Sequence, residues 1–125
     1  MTLCGQMVIF SVAGLGLLAS GRGLAMDDVT AANPMRGGEL VRQLGCADCH
    51  GPKGEGVQPG WPRLDGQYAR YLANQLENFL KGRRPHPFME RYADVLSAQD
   101  RRDIARYYAC QDATRAGDEE CRKVQ

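Results

Sequence analysis

The sequence predicts an all-α fold of three to five short helices, and three observations predict it. Apolar residues return at helical spacing in three separate stretches, within residues 34–44, 66–81 and 97–108. No stretch alternates apolar and polar residues in the manner of a strand, and no segment repeats another. The connectors between the helical stretches are dense in Gly and Pro, which interrupt regular structure. At 125 residues the chain is one small domain at most, so its core is thin.

The first stretch stands outside that domain. Met7 to Ala19 is an apolar run bounded by Ser20, Gly21 and Arg22, shorter than the roughly 20 residues that span a bilayer. Gly23-Leu24-Ala25 then offers a small-x-small cleavage site, so residues 1–25 read as a secretory signal and 26–125 as the exported domain, beginning at Met26. Met1 to Gln6 holds no Lys or Arg, and an uncleaved N-terminal membrane anchor is the alternative. The chain carries 16 Lys and Arg against 15 Asp and Glu; Arg22 falls in the signal, which leaves 15 of each sign. Such balance gives no electrostatic reason to expect nucleic acid or an anionic membrane surface as partner.

In the domain, Met26 to Asn33 is a loose, acidic start. Pro34 suits the first turn of a helix, which Glu39 to Leu44 continues with Leu40, Val41 and Leu44 on one face. Gly37 and Gly38 weaken an isolated helix; they are accounted for by a second helix crossing close by, or by a frayed start. After His50 the run Gly51 to Gly56, with Pro59, Gly60 and Pro62, is loop. It lacks the Gly-Lys-Ser/Thr ending of a phosphate cradle. Asp65 is expected to cap a helix over Gly66 to Lys81, stopped by Gly82. Its stripe of Tyr68, Tyr71, Leu72, Leu76, Phe79 and Leu80 is expected to be core. The prolines of Arg83 to Met89 read as extended chain, followed by a short helix over Glu90 to Val95. Ser97, with Asp100 reciprocating, opens the last helix, whose apolar face is Ile104, Ala105, Tyr107 and Tyr108. The tail from Asp112 to Gln125 reads as irregular.

The chemistry is concentrated in Cys46-Ala47-Asp48-Cys49-His50. Two thiols three positions apart, with an imidazole next, are the spacing that attaches a c-type haem through Cys46 and Cys49 and ligates its iron through His50. A structural zinc site needs four ligands, and the chain has only one further histidine, His86. A redox dithiol belongs beside a βαβ pattern, which is absent from the sequence. Trp61, the single tryptophan, is expected near the haem. Of the remaining cysteines, Cys4 lies in the signal. Cys110 and Cys121 are expected to pair in an oxidising compartment, closing a short loop worth roughly 3 kcal/mol at most; two free thiols are the alternative.

What fills the iron's sixth position decides between electron transfer and ligand chemistry. Downstream candidates are Met89, His86 and Lys81, while Met35 lies upstream on the first helix. Met89 is preferred, on extended chain able to drape over the haem face. A packing methionine, a bis-histidine centre through His86 and an empty sixth site are the other readings.

Together these residues resemble the class I c-type cytochromes, and within them the small bacterial carriers of the cytochrome c4 and c553 kind. The resemblance rests on Cys46 to Gly51, Pro62 to Gln67, Tyr71-Leu72 with Gln75-Leu76 and Phe79, Gly82 to Arg84, Met89, and Leu96-Ser97 leading to Tyr107-Tyr108. It implies an all-α class I cytochrome c fold with the terminal helices crossing near Gly38. It further implies that the Pro62 carbonyl accepts the Nδ1 proton of His50, and that Met89 is the axial sulfur. Cytochromes c4 carry two haem domains, whereas this chain has one motif. The function implied is a periplasmic, single-haem electron carrier without enzymatic activity. Its partners would be redox proteins: a membrane reductase or terminal oxidase complex, or a periplasmic dehydrogenase. Contact with the membrane would be transient docking or the uncleaved anchor. The alternative is a haem subunit of a larger oxidoreductase complex. A peroxidase-like enzyme is disfavoured, since beyond His50 only His86 offers an imidazole for acid–base work.

Overall fold

A computed structural model describes residues 29–112, Thr114 and 119–124; the segment read as a secretory signal lies outside the described residues. Pro34 occupies the first turn of helix α1 (Pro34–Gln43), where a missing N–H costs nothing, and Asn33 caps it by accepting from the Arg36 N–H at 3.1 Å. Helix α2 is a single turn, Cys46–His50; α3 spans Ala69–Leu80, α4 Pro87–Asp94, α5 Ala98–Ala109 and α6 Glu119–Arg122. A 3₁₀ turn, Val29–Ala31, precedes them, and no strand occurs among the described residues. The fold is thus all-α, with single turns at α2 and α6 beside the helices that periodicity foresees.

Helix α1 packs across α5, and α5 across α3. Glycine permits the first crossing: a Cβ on Gly37 would stand 2.0 Å from the Asp103 carbonyl oxygen, and one on Gly38 would stand 2.7 Å from the Tyr107 ring. The close-crossing reading of the glycine pair therefore holds, centred on Gly37 rather than Gly38. The same crossing buries Asp103 to 1 % exposure. Its carboxylate accepts from the Asn33 N–H at 2.8 Å, the Gln99 amide at 2.7 Å and the Arg36 guanidinium, so the buried charge is fully partnered. Arg36 also pairs with Asp100. Asp100 closes the foreseen capping box with Ser97, each accepting the other's backbone N–H. Burial pushes the Asp100 carboxyl up, but the hydrogen bonds from Ser97 and Arg36 outweigh it and hold the group below its usual range.

Three expectations are corrected. Helix α3 begins at Ala69, not Gly66, and Asp65 does not cap it. The Asp65 carboxylate is taken by the Arg63 guanidinium at 3.1 and 2.6 Å, and Gly66 turns the chain at φ +72°, a left-handed conformation suited to glycine. Second, residues 87–89 are helical. Pro87 opens α4, and His86 before it is extended, at φ −163° and ψ 110°. Third, the α3 stripe is not simply core: Leu72 and Phe79 are buried, but Tyr68 and Tyr71 are exposed.

The tail is tied back as expected. Cys110, at the end of α5, and Cys121, in α6, form a disulfide and are both buried. The core joins Val41, Leu72, Ala73, Leu96, Ile104, Ala105 and Tyr108.

Candidate cofactor site

A cavity of about 750 Å³ opens beside that core, within the range of cofactor pockets. Helix α2 contributes Cys46, Cys49 and His50 to its wall, and the following loop contributes Trp61, Pro62 and Leu64. Helix α3 adds Tyr71, Leu72, Leu76 and Phe79; α4 adds Met89 and Tyr92; α5 adds Ile104, Ala105 and Tyr108. The wall is predominantly apolar. The residues singled out from the sequence, Cys46, Cys49, His50, Pro62 and Met89, all lie on it, as does Trp61. Lys81 and Met35 do not line it; Lys81 pairs with Glu77.

The His50 ring is held in one orientation. Its Nδ1 lies 3.0 Å from the Pro62 carbonyl oxygen. A carbonyl only accepts, so Nδ1 carries the proton and Nε2 keeps its lone pair for a metal. The chain after His50 folds back on it, with the Gly56 N–H donating to the His50 carbonyl at 2.7 Å. Tyr108 meets the imidazole edge-on, ring centres 6.5 Å apart. Its hydroxyl donates to the Gly51 carbonyl at 3.4 Å, and that of Tyr107 to the Pro52 carbonyl at 2.7 Å. Burial pushes the Tyr108 phenol well above its usual range, so it stays neutral beside the site.

His86 has the opposite tautomer. Its Nδ1 accepts from the Met89 N–H at 3.3 Å, which makes it the cap of α4, and its backbone N–H donates to the Glu90 carboxylate at 2.8 Å. With Nδ1 accepting, the neutral ring carries its proton on Nε2 and has no lone pair left for a metal. Cys46 and Cys49 are not bonded to each other, Cys46 half-buried and Cys49 exposed. Burial pushes the Cys46 thiol up. Among the described residues, no three or more His, Cys, Asp and Glu side chains gather to hold a bare metal ion.

Two free thiols, an imidazole lone pair, a thioether and a large apolar wall are the donor set of a covalently held haem, and the site fits one. Sequence reasoning passed over Arg84, Gln75, Phe88 and Tyr92, which also line the cavity. Gln75 and Arg84 sit in the quoted motifs, but spacing alone does not aim a side chain.

Comparison with known proteins points to one family. The family model Cytochrome c matches residues 34–109. A cytochrome c4 of Thiocapsa roseopersicina is 40% identical over 92 residues, 70% of this chain and 47% of that protein. A protein of Stutzerimonas stutzeri named thiosulfate dehydrogenase electron acceptor is 36% identical over 94 residues, 73% of this chain and 44% of that protein. The solved structure of Acidithiobacillus ferrooxidans cytochrome c4 superposes with a TM-score of 0.59 at 30% identity, covering 62% of this chain and 49% of that one. The chain spans about half the length of these relatives.

Proposed function

The chain belongs to the cytochrome c family, and from that premise we propose that it is a periplasmic electron carrier with a single haem c. The proposal makes residues 1–25 a removable signal and 26–125 the haem domain. Bound haem supplies a one-electron ferric/ferrous couple. Cys46 and Cys49 would hold it through thioether bonds, and His50 would offer Nε2 to the iron, the Pro62 carbonyl fixing the ring and raising its basicity. Met89 would offer its sulfur as a second ligand, which would favour reduced iron.

The observation that carries this reading is the pair of opposite imidazole tautomers. His50 leaves Nε2 able to ligate, whereas His86 spends its lone pair on the Met89 N–H. The sulfur of Met89 is then the remaining donor on the cavity wall among the sixth-ligand candidates.

The test is an absorption spectrum of the reduced exported protein, with and without carbon monoxide, for the parent and Met89→Ala. The parent should be low-spin and indifferent to the gas. The variant should bind carbon monoxide and have a lower potential. A variant with the parent's spectrum and potential would remove Met89 from the ligand set.

A second reading, a haem subunit of a larger oxidoreductase complex, is favoured by aromatic residues exposed at the cavity: Tyr71, Phe88 and Tyr92 line it, and Phe88 is 61 % exposed. The relative named as a thiosulfate dehydrogenase electron acceptor points to a dehydrogenase as donor. Co-purification with a stoichiometric partner decides between a travelling carrier and a fixed subunit.

A further inference from the structure

We propose that the disulfide between Cys110 and Cys121 positions the iron's histidine: it pins the end of α5 on which the Pro62 loop is mounted, and that loop orients His50. The role rests on the reading above, in which His50 ligates iron. The His50 ring is aimed by the bond between its Nδ1 and the Pro62 carbonyl, 3.0 Å long. Pro62 belongs to residues 51–66, a stretch without helix or strand, so its carbonyl is only as steady as whatever holds the stretch. Gly54 ties the two limbs of the stretch together, its carbonyl accepting from the Leu64 N–H at 2.7 Å and from the Asp65 N–H at 3.1 Å.

Three hydrogen bonds mount this loop on the last turn of α5. The Tyr107 hydroxyl donates to the Pro52 carbonyl at 2.7 Å, and the Tyr108 hydroxyl to the Gly51 carbonyl at 3.4 Å. The Gly66 N–H donates to the Tyr108 carbonyl at 3.0 Å. Close contact adds to them: a Cβ on Gly54 would stand 2.7 Å from the Tyr108 ring, and one on Gly66 would stand 2.7 Å from Asp112, two residues past Cys110. The last turn of a helix is by itself a poor mount, because its carbonyls have no partners one turn on and helix ends fray. Cys110 is the C-cap of α5, and its bond to Cys121 in α6 holds it there. Both cysteines are fully buried, so the pin is packed into the protein rather than draped over it. They are 11 residues apart, so the bond constrains the tail and the end of α5 and leaves the crossing of α1 and α5 alone. Both lie beyond Ala109, where the match to the family model ends.

The test is hydrogen exchange in the haem-loaded protein, held ferrous with ascorbate, which leaves disulfides intact, and followed by nuclear magnetic resonance at two sites. One is the His50 Nδ1 proton, which exchanges when the Pro62 bond opens. The other is the Val41 amide, buried in α1, which reports opening of the whole fold. In Cys110→Ala/Cys121→Ala the Nδ1 proton should exchange faster by about tenfold or more, with a clearly smaller factor at Val41. Cys121→Ala alone, which keeps the Cys110 side chain in its buried site, should do the same and serves where the double variant does not hold haem. Equal factors at the two sites would make the disulfide a general stabiliser, and an unchanged Nδ1 rate would make the Pro62 loop independent of it; either result overturns the assignment. A parent that takes up no haem would instead sink the reading on which the assignment rests.

Discussion

One hydrogen bond separates the roles of the two histidines. A ring whose Nδ1 donates to a carbonyl keeps Nε2 for a metal, and one whose Nδ1 accepts from an N–H does not. His50 is of the first kind and His86 of the second. His86→Ala should therefore behave as a lost helix cap, reducing stability in urea by about 1 kcal/mol while the reduced spectrum stays closed to carbon monoxide. A His86→Ala variant that opened the iron as widely as Met89→Ala would make His86 the ligand. Residue type and spacing single out Cys46, Cys49, His50 and Met89 in the sequence, and the structure brings all four to one cavity wall. The capping role of His86 was hidden by its prolines. The rule that a residue before proline is extended holds for His86 itself, but the helix begins at once after it, because Pro87 can occupy a first turn. Met89 consequently stands on a helix whose cap bonds its own amide, a firmer mounting than a draped strand.

Between elements, the crossing of α1 and α5 is the contact most sensitive to a single methyl group. A Cβ on Gly37 meets backbone, the Asp103 carbonyl oxygen at 2.0 Å, and backbone inside a helix has little freedom to move aside. Gly38 faces the Tyr107 ring, a side chain rather than backbone, which gives way at the cost of its hydroxyl's bond to the Pro52 carbonyl. Gly37→Ala should thus cost about 3 kcal/mol or more, at the upper end of overpacking penalties, and Gly38→Ala distinctly less, both read from urea unfolding of the haem-loaded protein. Equal losses would mean that the helices slide apart rather than clash. The glycine pair left two readings open in the sequence, a close crossing or a frayed start, and the packing of α1 on α5 decides for the crossing. The start of α3 was not legible there, since Asp65 suits a cap as well as it suits an ion pair. The neighbouring Arg63 and the turn at Gly66 decided the outcome. The α3 stripe misled for a related reason: periodicity shows which face is apolar, not whether protein or cofactor covers it.

At the scale of the whole molecule, core and cavity share residues. Leu72, Leu96, Ile104, Ala105 and Tyr108 belong to the central cluster and also line the cavity. The bound group is therefore part of the hydrophobic core rather than an addition to a finished one. Without that group the apolar wall would stand against water or close on itself, and either would disturb the packing around Tyr108 and Leu72. The disulfide between Cys110 and Cys121 tethers only the end of α5 to α6 and does not bridge the cavity. A Cys46→Ala/Cys49→Ala variant, unable to anchor haem, is therefore expected to keep part of its helical far-ultraviolet signal, lose its near-ultraviolet signal and unfold over a broad range. The parent should unfold in one cooperative step. If the variant instead melted as sharply as the parent and at the same midpoint, the helices would hold one another without the cofactor, and the cavity would be a binding site in a self-sufficient fold.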